Sequence, residues 1–258
     1  MKNRQEILDK YKVKEERIFV SNILDKINKF EITNNIIYTN FLNLNEFNIA
    51  TNLINQFNIN YTYFSLNDIL EKRSIAIIPE YIKQCNFENI SCIKVKNNSQ
   101  IKLLHKDYMG AIYNIGIAED MIGDIIVKEN IAYIFLMKSI LEYVLLNFNK
   151  VGNIKVEIET IDINNIDISY NFEDINIIVS SKRIDIVLSH LYNLSRNEID
   201  KKILKNELVI NSKIINNKTY LIKENDIIAF KKCGKFKYIG ISKTTKTGNL
   251  VINIKKYS

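Results

Sequence analysis

The sequence predicts an α+β protein in three parts, and three observations lead there. Apolar residues recur at three- and four-residue spacings through much of the first sixty positions. The middle of the chain alternates strand-like and helix-like segments, and a basic stretch with two short helices followed by short strands closes the chain. With 258 residues, 47% hydrophobic and 25% charged, the proportions are those of a globular protein and exclude collagen, coiled coil and wholesale disorder. The expected domains are 1–78, mainly helical; 79–180, a mixed sandwich; and 181–258, the basic module.

In the first part, residues 3–11 and 15–30 read as helices, with Ile18, Phe19, Ile23, Leu24, Ile27 and Phe30 forming an apolar stripe. A further helix over 45–57 places Phe47, Ala50, Leu53, Ile54 and Phe57 on one face. The β-forming run INYTYFSL then reads as a strand, and SIAII is a short apolar strand stopped by the single proline, Pro79.

From about Ser91 to Thr160 the order becomes diagnostic. Strand 92–96, helix 105–117, strand 123–127, strand 131–136, helix 138–148 and strand 153–161 give β-α-β-β-α-β, the order of a ferredoxin-like (RRM-like) split sandwich. Many RNA-binding domains and many metabolic enzymes share it, so the order gives no function. The aromatic signature of RNA-binding sheets is missing. Tyr133 and Phe135 share one strand face, where they either stack on bases or pack in the core, and packing is the commoner fate of such aromatics.

The run 169–181 is strand-like. Residues 183–194 form a short helix with Ile184, Val187, Leu188 and Leu191 inward, and Ser195 caps a second helix, with Glu198 completing a capping box. Short strands and polar turns follow.

Charge is unevenly placed. Residues 181–258 hold 17 Lys+Arg against six acids, a net +11, whereas the remaining 180 residues are at −4. Such asymmetry fits a polyanion-binding module on a nearly neutral body, although a solvated Lys-rich surface gives the same count. Lys outnumbers Arg 31 to five, as AT-rich coding produces, so Asn- and Lys-rich stretches carry little weight by themselves. Cys85, Cys92 and Cys233 match neither a disulfide framework nor a paired zinc site, which leaves a reducing cytoplasm as the expected compartment. No signal-peptide h-region or bilayer-length apolar run is present, so no membrane association is expected.

Within the basic segment, Arg183-Ile184-Asp185, Ser195-Arg196, Val209-Ile210-Asn211 and Asn225-Asp226-Ile227-Ile228 occur in an order and spacing that resembles an S4 RNA-binding domain over about fifty residues. Physical reasoning agrees with this. A helix N-terminus at Ser195 and Arg196 suits a phosphate, Lys201, Lys202 and Lys205 follow on the same helix, and Arg196 can grip phosphate bidentately. Arg183, Asn211, Lys213, Lys231, Lys232, Lys235 and Lys246 complete the expected RNA-binding set in this segment.

The centre, LLHKDYMGAIYNIGIAEDMIGDIIV, is similar to the YlmH-type family, with His105, Lys106, Asp107, Gly110, Gly116, Ile122, Gly123, Asp124 and Ile125 at matching positions. FLNLNE, RSIAIIPEY, KKCGKFKYIGI and TTKTGN also fit that family. Two departures stand out: SLNDILEKRS replaces a Gly-rich turn, and Lys231-Lys232-Cys233-Gly234-Lys235 replaces an Arg-Gly-x-Gly-Arg loop, which keeps charge but not bidentate forks. The resemblance implies an RNA-binding protein acting at the ribosome, on large-subunit rRNA and tRNA, in the rescue of stalled nascent chains; a monomer is expected. It also implies that His105, Lys106 and Asp107 form a contact or structural corner near RNA.

Catalytic patterns are thin. His190 lies mid-helix, where a partly buried structural role is expected, and His105 with Asp107 lacks a nucleophile at any recognisable motif. There is no GxGxxG, P-loop or HExxH, so no cofactor is expected. The expectation is a non-enzymatic RNA-binding protein. The alternative is an S4-domain RNA-modifying enzyme, of pseudouridine synthase or methyltransferase type, for which the Arg-Leu-Asp catalytic loop or the glycine-rich cofactor loop is missing.

Overall fold

The apolar stripes of the first segment fold as helices α1 (Arg4–Leu8), α2 (Lys14–Thr33) and α3 (Leu44–Gln56). The structure is a computed structural model that describes residues 4–64, 71–83, 85–163, 166, 172–231 and 233–257. Val20, Ile23, Leu24 and Ile27 of α2 pack with Phe47, Ala50, Leu53 and Ile54 of α3, all buried. Helix α3 starts at Asn43, whose Oδ1 accepts the Glu46 N–H while Glu46 Oε2 accepts the Asn43 N–H, a reciprocal cap. Strands β1 (Ile37–Tyr38), β2 (Asn60–Tyr63) and β3 (Ile75–Ile78) form an antiparallel sheet in the order β1-β3-β2. The sequence reading described this part as mainly helical and missed β1, because a two-residue strand carries no periodicity.

The centre follows as β4 (Ile90–Lys96), α4 (His105–Asn114), β5 (Ile122–Lys128), β6 (Ile131–Met137), α5 (Leu141–Asn147), a small hairpin β7 (Lys150–Val151) and β8 (Ile154–Lys155), and β9 (Glu157–Ile161). Its sheet runs β5-β6-β4-β9, all antiparallel, the arrangement of a split β-α-β sandwich. Ile93, Val95, Ile134 and Leu136 face Ile112 of α4 and Val144 of α5. The run 153–161, read as one strand, is two: Gly152 (φ +58) turns the chain into the β7–β8 hairpin before β9 joins the sheet.

Part of the second sheet face is covered by the N-terminal segment. Phe64 packs on Phe135 with ring centroids 5.9 Å apart, and a Cβ on Gly123 would lie 2.8 Å from the Phe41 ring. Asp124 Oδ2 accepts the backbone N–H of Glu71 (2.8 Å) and of Lys72 (3.0 Å). Lys72 Nζ donates to the carbonyls of Glu119 (3.0 Å) and Ile122 (2.9 Å), and burial pushes its pKa down. Gly123 and Asp124 therefore lock the two sheets of this unit together.

The chain forms two compact units, Met1–Ile168 and Ser169–Ser258. The boundary expected at 180/181 is corrected by strand β10 (Phe172–Val179), which pairs antiparallel with β15 (Leu250–Tyr257) from Phe172↔Tyr257 to Val179↔Leu250. Between them come α6 (Ile184–Tyr192), α7 (Arg196–Leu204), β11 (Leu208–Ile210), β12 (Lys213–Ile214), β13 (Ile227–Phe230) and β14 (Gly234–Thr244), giving a six-stranded sheet β10-β15-β14-β13-β11-β12. One face of this sheet buries Phe236, Tyr238, Ile252, Ile254, Ile228 and Phe230 against Ile184, Val187 and Leu188 of α6 and Ile199 and Ile203 of α7. Together the elements make an α+β protein. No helix among the described residues is long and apolar enough to cross a membrane.

Candidate nucleic-acid interface

Helix α7 carries the densest cluster of expected contacts, and its local chemistry explains its placement. Ser195 is the N-cap: its Oγ accepts the Glu198 N–H (3.3 Å), and Glu198 Oε2 accepts from Ser195 N (2.9 Å) and Oγ (2.7 Å). Those hydrogen bonds hold the Glu198 carboxyl below the usual carboxylate range. The N-terminus expected to seat a phosphate thus already carries a carboxylate, so Ser195 is a cap and an incoming phosphate would meet an anion there. Ile199 and Ile203 point into the core, which turns Lys201 and Lys205 to the opposite face, one turn apart. Arg196, Lys201 and Lys205 are exposed, and among the described residues none forms an ion pair. In particular, Asp200 is taken by Lys218 at 2.6 Å and does not pair with Arg196.

Lys202 differs from its neighbours. Its Nζ lies 2.9 Å from Glu207 Oε2 and 5.3 Å above the Phe230 ring, so it is half-buried and tied to the C-terminal end of its own helix. Glu207 is drawn below its ordinary pKa by Lys202 first and also by Lys205 and Lys231, and the Lys231 N–H donates to the Glu207 carbonyl at 3.0 Å. Lys205 and Lys231 are thereby gathered at one end of α7.

Other expected residues have framework roles. Arg183 caps α6 and closes on the buried Asp185 carboxylate, with Nε–Oδ1 3.1 Å and Nη2–Oδ2 3.0 Å. Asn211 adopts a left-handed backbone (φ +51), donates to Asp226 Oδ1 (2.8 Å) and accepts the Ile227 N–H (2.9 Å). Buried Asp226 also accepts from the Tyr220 hydroxyl (2.9 Å) and the Lys223 N–H (2.8 Å). Lys213 is exposed on the edge strand β12, Lys246 is exposed at the β14–β15 turn, Lys235 is half-buried over the Tyr257 ring at 5.3 Å, and Lys232 lies outside the described residues.

In the first unit, His105 and Lys106 are exposed on the first turn of α4, and Asp107 Oδ2 accepts the Leu104 N–H at 2.8 Å. Asp107 therefore caps its helix. His190 is exposed, not partly buried as expected, and stands in the last turn of α6. The aromatic pair on β6 divides: Phe135 is fully buried, whereas Tyr133 is half-exposed. Beside it on β4 are Lys94, paired to Glu159 at 2.6 Å, and exposed Lys96, neither of which the sequence reading singled out. The alternation in Cys92-Ile93-Lys94-Val95-Lys96 was the available signal. Among the described residues no group of three or more His, Cys, Asp or Glu could hold a metal ion.

Residues 83–165 match the family model described as "Putative RNA-binding domain in YlmH". That stretch is similar to the RNA-binding domain of YlmH. The chain is 24% identical over 238 residues, 90% of this chain and 92% of the relative, to Ribosome-associated protein quality control protein P2 of Bacillus subtilis (strain 168). The solved structure of cell division protein ylmH from Streptococcus pneumoniae matches with a TM-score of 0.51 at 23% identity, covering 61% of this chain and 98% of that one. The YlmH-type match thus takes in the split sandwich, and the B. subtilis relative extends the likeness to most of the chain.

Proposed function

We propose that this protein binds RNA on the ribosome, docking on large-subunit rRNA and tRNA through an S4-type C-terminal unit, in the quality control of stalled nascent chains. The observation that carries the reading is the exposed set Arg196, Lys201 and Lys205 of the α7 segment, which forms no ion pair among the described residues and lies in a stretch whose residue order resembles S4 domains. The relative in B. subtilis and the RNA-binding family model support it. Lys201 and Lys205 supply point charges for phosphates, and Arg196 supplies a planar fork; such contacts read RNA by shape and backbone and not by base sequence. The first unit, with exposed His105, Lys106 and the Tyr133 face, meets a second RNA element. The protein acts as a cytoplasmic monomer without catalysis or cofactor.

The test is sedimentation of cell extract through a density gradient. The protein should travel with large-subunit particles and leave them after nuclease treatment. A protein that stays at the top of the gradient without nuclease contradicts the reading.

A further inference from the structure

The C-terminal sheet has a second face, opposite the one covered by α6 and α7. Because Ile177, Ile252 and Ile254 point to the helices, the alternate residues Phe172, Asp174, Tyr257 and Lys255 point to the other side. Register brings Lys237 opposite Lys255 and Lys235 beside Tyr257 on the same side. Phe172 and Tyr257 meet edge to face with centroids 5.1 Å apart. Lys255 Nζ lies 5.4 Å over the Phe172 ring and Lys235 Nζ 5.3 Å over the Tyr257 ring.

We propose that this face is a second nucleic-acid site, a stacking platform for unpaired RNA. Three features favour that occupant. Directly opposed lysines on neighbouring antiparallel strands are unfavourable alone, and a bound anion between Lys237 and Lys255 relieves the repulsion. Two aromatic rings within the lysine cluster offer faces or edges to bases of any identity, as single-strand-binding surfaces do. A partly solvated ammonium–ring contact is weak, so a phosphate can draw Lys255 off the Phe172 ring. Asp174, opposite Lys255, is the one acid on this patch among the described residues. It disfavours tight duplex contact more than a flexible single strand that can route its phosphates past it. The proposal rests on reading this unit as RNA-binding and adds a surface and a class of RNA to it.

The experiment measures fluorescence anisotropy of the full chain with a labelled twelve-nucleotide oligouridylate and with a blunt RNA duplex of equal length. Phe172→Leu with Tyr257→Leu should weaken single-strand binding about tenfold and leave the duplex unchanged. Lys237→Gln with Lys255→Gln, which removes like charges and retains both rings, should also weaken single-strand binding and flatten its salt dependence; it decides the matter if the aromatic variant does not fold. Lys201→Gln with Lys205→Gln should act on the duplex alone. Single-strand affinity within twofold of the parent in the lysine variant overturns the platform, and if the α7 variant still weakens the duplex, the docking role of α7 stands. Loss of duplex binding in none of the variants overturns that role independently.

Discussion

The Arg183 guanidinium closes on the Asp185 carboxylate two residues on, with both of its hydrogen bonds near 3 Å and the acid almost wholly buried. The geometry makes Arg183 a framework residue at the start of α6, since its fork already satisfies a carboxylate that burial would otherwise leave unpaired. Arg183→Ala is expected to lower stability by about 2 kcal/mol, read from the urea midpoint. Its effect on RNA affinity of the folded protein should be smaller than that of Arg196→Ala.

Asp226 is the second anchor of this unit, accepting from Asn211, Tyr220 and the Lys223 backbone. Asp226→Ala leaves three donors unmet and should cost about 3 kcal/mol. Asp226→Asn keeps one acceptor oxygen and should cost less. Equal midpoints for parent and Asp226→Ala would remove the network from the account.

Tyr220 reports on the same network by pH. Burial first, and the neighbouring Asp226 second, push its hydroxyl up to about 12, against about 10 in an unfolded chain. The protonated form is favoured by folding, so the contribution is complete below about pH 10 and is lost as pH rises toward the folded value. Between those limits the parent should lose more stability than Tyr220→Phe. Parallel stability curves for the two would contradict this.

In the first unit, Gly123→Ala forces a Cβ into the Phe41 ring and against Phe135 Cβ, at 2.8 and 2.9 Å. A cost of about 1–3 kcal/mol is expected. Asp124→Ala frees the Glu71 and Lys72 N–H groups and should cost a similar amount. Calorimetric unfolding should place both losses in the transition of this unit.

Local features were legible in the sequence and distant ones were not. The Ser195–Glu198 capping box, the inward faces of α6 and α7 and the β-α-β-β-α-β order all depend on residues a few positions apart. Strand β10 was placed before the boundary of the basic segment because its partner lies more than seventy residues later and alternation does not name a partner. Among the basic residues, the sequence could not separate Lys202, neutralised by Glu207, from Lys201 and Lys205, which face outward. Arg183 and Asn211 matched the resemblance at their positions, but their roles depend on Asp185 and Asp226, which only the fold brings to them.

The central claim is that α7 meets RNA phosphates through Arg196, Lys201 and Lys205. The most direct measurement is the slope of log affinity against log salt for the full chain with large-subunit rRNA. Replacing the three residues by Ala should make that slope shallower by roughly two to three units, whereas Lys202→Ala should change it by less than one. An unchanged slope in the triple variant, with the protein folded, would contradict the account.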